Sequence, residues 1–84
     1  MVQVIMYSTG YCPYCTRAKE LLHKKNVAFT DIRVDLQPEL RDEMIAKSGR
    51  HTVPQIFING QAIGGCDDLY ALENQGKLNQ LLKG

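Results

Sequence analysis

The chain has 84 residues, 44% hydrophobic and 23% charged, which is enough for one small globular domain with a modest core (residues 1–84) and too little for a second. Its net charge is +1 and no basic run exceeds Lys24-Lys25, so a nucleic-acid or membrane-surface role has no electrostatic footprint. No apolar stretch approaches the roughly 20 residues that cross a bilayer, and the N-terminus enters a strand pattern without a charged leader, so a cytoplasmic protein is expected.

In chain order, residues 2–7 are short, apolar and rich in β-branched side chains, which predicts a buried strand followed by the turn residues Ser8, Thr9 and Gly10. A helix is predicted from Cys12 or its neighbour, with Cys15, Ala18 and Leu22 on one inward stripe and Asn26 as its stop. Residues 27–35 alternate imperfectly, as a second strand would, and complete a βαβ unit. Pro38 opens a second helix with Leu40, Met44 and Ile45 as its apolar face and Gly49 just past its end. Residues 56–58 and 61–63 flank Asn59-Gly60, a strong signal for a hairpin with a tight turn. After Gly64-Gly65, Leu69 and Leu72 mark a third helix, and Gly76 breaks to a short last one carrying Leu78, Leu81 and Leu82. The expected class is α/β, a four-stranded mixed sheet flanked by helices.

Chemistry concentrates at Cys12-Pro13-Tyr14-Cys15, where the first strand gives way to the first helix. Free N–H groups and the positive end of the dipole at a helix start favour thiolate over thiol. Pro13 fits the first turn, where a missing N–H costs nothing. Position separates the two thiols. Cys12, at the helix mouth, is the expected exposed nucleophile; Cys15, on the inward stripe, is the expected resolving thiol. The dipole supplies only about 0.3 to 1 kcal/mol in most settings, so stronger activation needs N–H···S bonds or a cation such as Arg17 or Lys19. With only three cysteines, an odd number, a secreted disulfide framework is disfavoured and a catalytic or metal-binding pair is preferred.

Cys12-Pro13-Tyr14-Cys15, then Thr52-Val53-Pro54 leading a strand, then Gly64-Gly65-Cys66-Asp67-Asp68 resemble, in order and spacing, the three landmarks of the small bacterial dithiol glutaredoxins. The resemblance covers essentially the whole chain and implies a thioredoxin-like fold. It also implies glutathione as reductant and co-substrate, reduction of protein disulfides through both cysteines, and reduction of protein-glutathione mixed disulfides through Cys12 alone. It further implies that Pro54 is cis and that Val53 pairs through its backbone with the cysteine moiety of glutathione. Tyr14 and Thr52 would border the groove, and Gly64 and Gly65 would let backbone approach closely. The Cys66 and Asp67 N–H groups would take the γ-glutamyl carboxylate, Asp67 would face the amino group, and Arg41 would reach the glycyl carboxylate. Many members carry Lys where this chain has Thr9, so Cys12 is expected to receive less help toward its thiolate than in those relatives. His51 replaces the Arg or Thr usual before Thr-Val-Pro and would place a pH-dependent charge near the ligand.

Other readings stand beside this one. Cys12, Cys15, Cys66 and a histidine, His23 or His51, have the types of a zinc site but lack a second pair at ligand spacing, so no metal is expected. Some relatives share an iron–sulfur cluster between two subunits, typically those with one active-site cysteine followed by Gly rather than by Pro13. A thioredoxin would share the fold and the C-x-x-C chemistry, but this chain has no Trp and has Pro-Tyr between its cysteines. Cys66 reads as a small buried residue, Asp67 alternatively as a helix cap, and His23 as surface. The expected partners are glutathione and disulfide-bearing or glutathionylated proteins, with a monomer as the default.

Overall fold

The computed structural model describes residues 2–83. Its elements are β1 (Val4–Ser8), α1 (Pro13–Lys24), β2 (Thr30–Arg33), α2 (Pro38–Ser48), β3 (Gln55–Ile58), β4 (Gln61–Gly64), α3 (Cys66–Asn74) and α4 (Leu78–Leu82). The strands form one four-stranded sheet in the order β2-β1-β3-β4. β1 runs parallel to β2 and antiparallel to β3, and β3 runs antiparallel to β4. This is the mixed sheet expected from a βαβ unit followed by a hairpin. Asn59 and Gly60 both adopt positive φ, 51° and 81°, as a tight two-residue turn of the favoured hand requires.

Side-chain alternation along the strands decides what lies on each face. Val4, Met6, Ile56 and Ile58 point to one side, where Ala18, Leu21 and Leu22 of α1, Leu69 of α3 and Leu78 of α4 close over them. Tyr7 and Phe57 point to the other, where they meet Val34 and Met44, the latter from α2. Their rings pack edge to face with centroids 5.6 Å apart, and the Tyr7 hydroxyl donates to Glu43 Oε2 at 2.9 Å, joining the sheet to α2.

Two strands are displaced or shorter than the alternation suggests, each for a hydrogen-bonding reason. Gln3 is not part of β1: its N–H donates to Asn59 Oδ1 at 2.9 Å and its carbonyl accepts the Asn59 N–H at 2.8 Å, so it pairs with the hairpin turn. β1 instead runs on to Ser8. Val27 does not open β2, because its N–H closes the end of α1 on the Leu22 carbonyl at 3.1 Å, with Asn26 at φ 59° turning the chain. At the far end Gln37 N–H returns to the Arg33 carbonyl at 3.3 Å, bending the chain into α2 after Arg33. Among the described residues, no helix is long and apolar enough to cross a membrane.

Candidate active site

α1 begins where the dithiol lies. Cys12 is its N-cap, with extended backbone at φ −95° and ψ 118°, and Pro13 follows in the first turn. The Cys12 carbonyl accepts the N–H of Cys15 at 3.1 Å and of Thr16 at 3.3 Å, so the first helical turn closes on the cysteine itself. The loop before it is held by an ion pair that the sequence pattern does not reveal. Arg33 donates from Nε and Nη2 to the two carboxylate oxygens of Asp35 at 2.8 and 2.6 Å, and Asp35 Oδ2 also accepts the Gly10 N–H at 3.2 Å. The Arg33 bonds, joined by that N–H, hold the Asp35 carboxyl well below the usual carboxylate range. A Cβ on Gly10 would run into the Arg33 guanidinium, so glycine is what lets the loop lie against this pair.

The two thiols are unlike. Cys12 is half-buried and its Sγ donates to the Val53 carbonyl at 3.8 Å, which sets it beside the loop before β3. Cys15 is 1% exposed. Burial pushes its pKa up to about 11, while the Thr9 main-chain N–H and the charge of Lys19 pull the other way. Lys19 Nζ pairs with Asp31 Oδ2 at 2.8 Å and acts on the inner cysteine, so of the two expected cations one serves Cys15. The other, Arg17, lowers the Cys66 thiol, a shift outweighed by burial, which raises it. Thr9 itself is 3% exposed with an unpartnered hydroxyl, a small neutral side chain enclosed beside the dithiol.

The peptide bond between Val53 and Pro54 is cis. Gln55, 1% exposed, donates from Nε2 to the Thr52 carbonyl at 3.0 Å and to Thr52 Oγ1 at 3.2 Å, so a buried amide braces the turn from inside. Opposite that turn β4 enters α3 through Gly64, at φ +114°, and Gly65, whose Cβ position would lie 3.3 Å from the Pro54 carbonyl. Asp68, and not Asp67, caps α3: its Oδ2 accepts the Gly65 N–H at 3.0 Å three residues back, as in a capping box. Asp67 remains exposed at the helix start.

Between turn and helix lies a groove of about 360 Å³ lined by Tyr14, Arg50, Thr52, Val53, Pro54, Gly65, Cys66, Asp67 and Asp68. Residues from three separate stretches of the sequence thus meet beside Cys12. Arg41 is not among the lining residues; its Nη2 donates to the His51 carbonyl at 2.8 Å, fastening α2 to the loop one residue before Thr52. His51 is exposed on that loop. Asp68, the last residue of the Gly64–Asp68 landmark, lines the groove beside Asp67, and Arg50 joins it from outside the three landmarks. The Gly65–Asp68 spacing carries a signal for the cap, whereas Arg50 meets Asp68 across 18 residues and no local pattern announces it. Among the described residues no three His, Cys, Asp or Glu side chains gather as a metal site.

The family model for glutaredoxin matches residues 4–63. The chain belongs to the glutaredoxin family. It is 55% identical over 83 residues to glutaredoxin 3 of Escherichia coli, covering 99% of this chain and 100% of that one. It is equally 55% identical over 82 residues to a glutaredoxin of Pseudomonas aeruginosa, covering 98% of each. Among solved structures, a glutaredoxin from Brucella melitensis superposes with a TM-score of 0.87 at 58% identity, covering 99% of this chain and 90% of that one. A buckwheat glutaredoxin in complex with glutathione superposes with a TM-score of 0.91 at 30% identity, covering 98% of this chain and 77% of that one. The protein is therefore a glutathione-dependent thiol-disulfide oxidoreductase with a thioredoxin-like fold.

Proposed function

We propose that this glutaredoxin uses Cys12 as nucleophile and Cys15 as resolving thiol, with glutathione as the co-substrate held in the groove between the Thr52–Pro54 turn and the start of α3. The observation that carries this reading is the contrast between the two thiols. Cys12 opens a helix beside the groove, half-buried with its Sγ on the Val53 carbonyl, while Cys15 is enclosed one turn later with a raised pKa.

On a glutathionylated protein the Cys12 thiolate attacks the glutathione sulfur, the protein thiolate leaves and takes a proton, and Cys12 carries the glutathione as a mixed disulfide. A second glutathione thiolate attacks that bond, giving glutathione disulfide and free Cys12. On a protein disulfide the first attack joins Cys12 to the protein; Cys15, once deprotonated, attacks Cys12 Sγ and releases the reduced protein. The resulting Cys12–Cys15 disulfide is reduced by two glutathiones, which leave as glutathione disulfide. Cys15 is required only on the second route.

The groove supplies orientation. The Val53 backbone offers an edge for strand-like pairing with the cysteine moiety of glutathione. The first-turn N–H groups of α3, on Cys66 and Asp67, have no acceptor within the helix and suit a carboxylate, with the Asp67 carboxylate facing the adjacent ammonium. Tyr14, Thr52, Pro54 and Gly65 wall the site. Arg41 supports the loop through His51 with one N–H, and the others suit the glycyl carboxylate. The resemblance to bacterial relatives supports a cytoplasmic setting, with disulfide-bearing and glutathionylated proteins as partners and the whole chain acting as one monomeric domain.

The test is NADPH consumption with a glutathionylated peptide and, separately, a protein disulfide, each coupled through glutathione and glutathione reductase, for wild type and Cys15→Ser. Cys15→Ser is expected to keep turnover on the peptide and lose it on the protein disulfide, and Cys12→Ser to lose both. Turnover supported only by thioredoxin reductase, or Cys15→Ser inactive on the peptide, would overturn the assignment.

A further inference from the structure

One ion pair in the groove is not required by the sulfur chemistry. Arg50, two residues before Thr52, donates from Nη1 to Asp68 Oδ2 at 2.8 Å. That same oxygen already accepts the Gly65 N–H, so Asp68 caps α3 without help from Arg50. The two side chains are 54% and 44% exposed, and ion pairs in such settings add little to the stability of a fold. Stability is therefore a weak reason for Arg50 to be where it is, and the placement of its charge is a stronger one. The guanidinium lines the groove next to the first turn of α3, and its bond to Asp68 uses one of five N–H groups. A cation and a set of free helix amides thus reach the same end of the cavity from two elements far apart in sequence, a pairing suited to a planar carboxylate.

We propose that Arg50 is a specificity-determining residue, binding the α-carboxylate at the γ-glutamyl end of glutathione together with the α3 amides, and that Asp68 is the positioning residue that aims it. This rests on the glutathione reading above and assigns the recognition of one end of that ligand. The rival role for the pair is a strap that merely fastens the loop before β3 to α3. The two roles differ in which substrates feel the loss of Arg50. A strap affects every substrate of the groove, whereas a carboxylate partner affects only those that carry a γ-glutamyl group.

The experiment uses one peptide carrying three mixed disulfides in turn: glutathione, γ-glutamylcysteine and cysteinylglycine. Initial rates are measured for wild type, Arg50→Gln, Arg50→Lys and Asp68→Asn. Wild type is expected to prefer the first two substrates; if it handles all three alike, the γ-glutamyl site of the glutathione reading fails at the wild-type stage. Given that preference, Arg50→Gln is expected to lose about tenfold in kcat/KM on the first two, through KM, and less than about twofold on cysteinylglycine. Arg50→Lys should recover part of the loss, and Asp68→Asn, which releases the guanidinium but leaves an oxygen to cap Gly65, should show a smaller loss of the same pattern. An equal loss on all three substrates, a loss confined to cysteinylglycine, or no loss on any would overturn the proposal.

Discussion

Cys15 holds its proton tightly because burial penalises its anion, and the Thr9 N–H and Lys19 only partly offset that penalty. In the proposed mechanism its thiol therefore waits, neutral, while Cys12 reacts. The resolving step needs the Cys15 thiolate, so its rate is expected to climb about tenfold per pH unit between about pH 6 and pH 9. Release of glutathione from Cys12-glutathionylated enzyme, followed in a single turnover, measures this directly; a plateau near neutral pH, or the same release from the Cys15→Ser enzyme, would contradict it. The same shift has a stability side. The folded value of about 11 lies above the ordinary 9.0, so the folded protein keeps a proton that the unfolded chain gives up. The associated stability is fully present below the unfolded value and is lost as pH rises through the folded one. Thr9 shows how little a motif can say about a side chain's surroundings. As a motif position it reads as a missing cation, whereas its hydroxyl is enclosed without a hydrogen-bond partner beside the chain that donates to Cys15.

The passage from β4 into α3 is the element on which the groove's far wall depends. Gly64 takes φ +114°, and a Cβ there would collide with the Asp68 carboxylate that caps the helix. Gly64→Ala therefore meets two penalties, a backbone conformation that side-chain-bearing residues avoid and the displacement of a cap, together roughly 2–4 kcal/mol. For a domain of this size each kcal/mol lowers the thermal midpoint by about 4–8 °C. The variant should thus unfold well below wild type and bind glutathione more weakly, readable by calorimetry and titration. A midpoint within about 2 °C of wild type would show that the corner adjusts without cost. Gly65 faces a milder restriction, with the Pro54 carbonyl 3.3 Å from its Cβ position. In the sequence both glycines signal only a break between strand and helix; their separate restrictions come from Asp68, four residues after Gly64, and Pro54, eleven residues before Gly65.

Across the whole molecule, what was legible depended on how local the determining interaction is. The element order, the Asn59-Gly60 turn and the inward stripe of Cys15, Ala18 and Leu22 follow from spacing along the chain, and all are present. β1 and β2 start later than alternation predicts because Gln3 and Val27 give their N–H groups to Asn59 and Leu22, choices that alternation cannot reveal. The Arg33–Asp35–Gly10 clamp and the Arg50–Asp68 pair leave no mark in the sequence because charged side chains look alike until the fold brings particular ones together. The fold also distributes its stability unevenly. One face of the sheet carries α1, α3 and α4 over the larger cluster, while α2 covers the other with Met44 as its one fully buried side chain, and Leu40 and Ile45 only partly so. α2 has no side-chain cap at Gln37, and its Glu43–Lys47 pair is 3.8 Å apart and solvent-facing. With fewer buried contacts to lose, α2 is expected to open separately, its amides exchanging with an opening free energy at least about 1–2 kcal/mol below that of β1 and β3. Because Arg41 of α2 grips the His51 carbonyl, such opening releases the loop that forms the near wall of the groove. Residue-resolved hydrogen exchange on the reduced protein measures this hierarchy: α2 amides as protected as those of β1 and β3 would mean that the two faces of the sheet unfold as one unit.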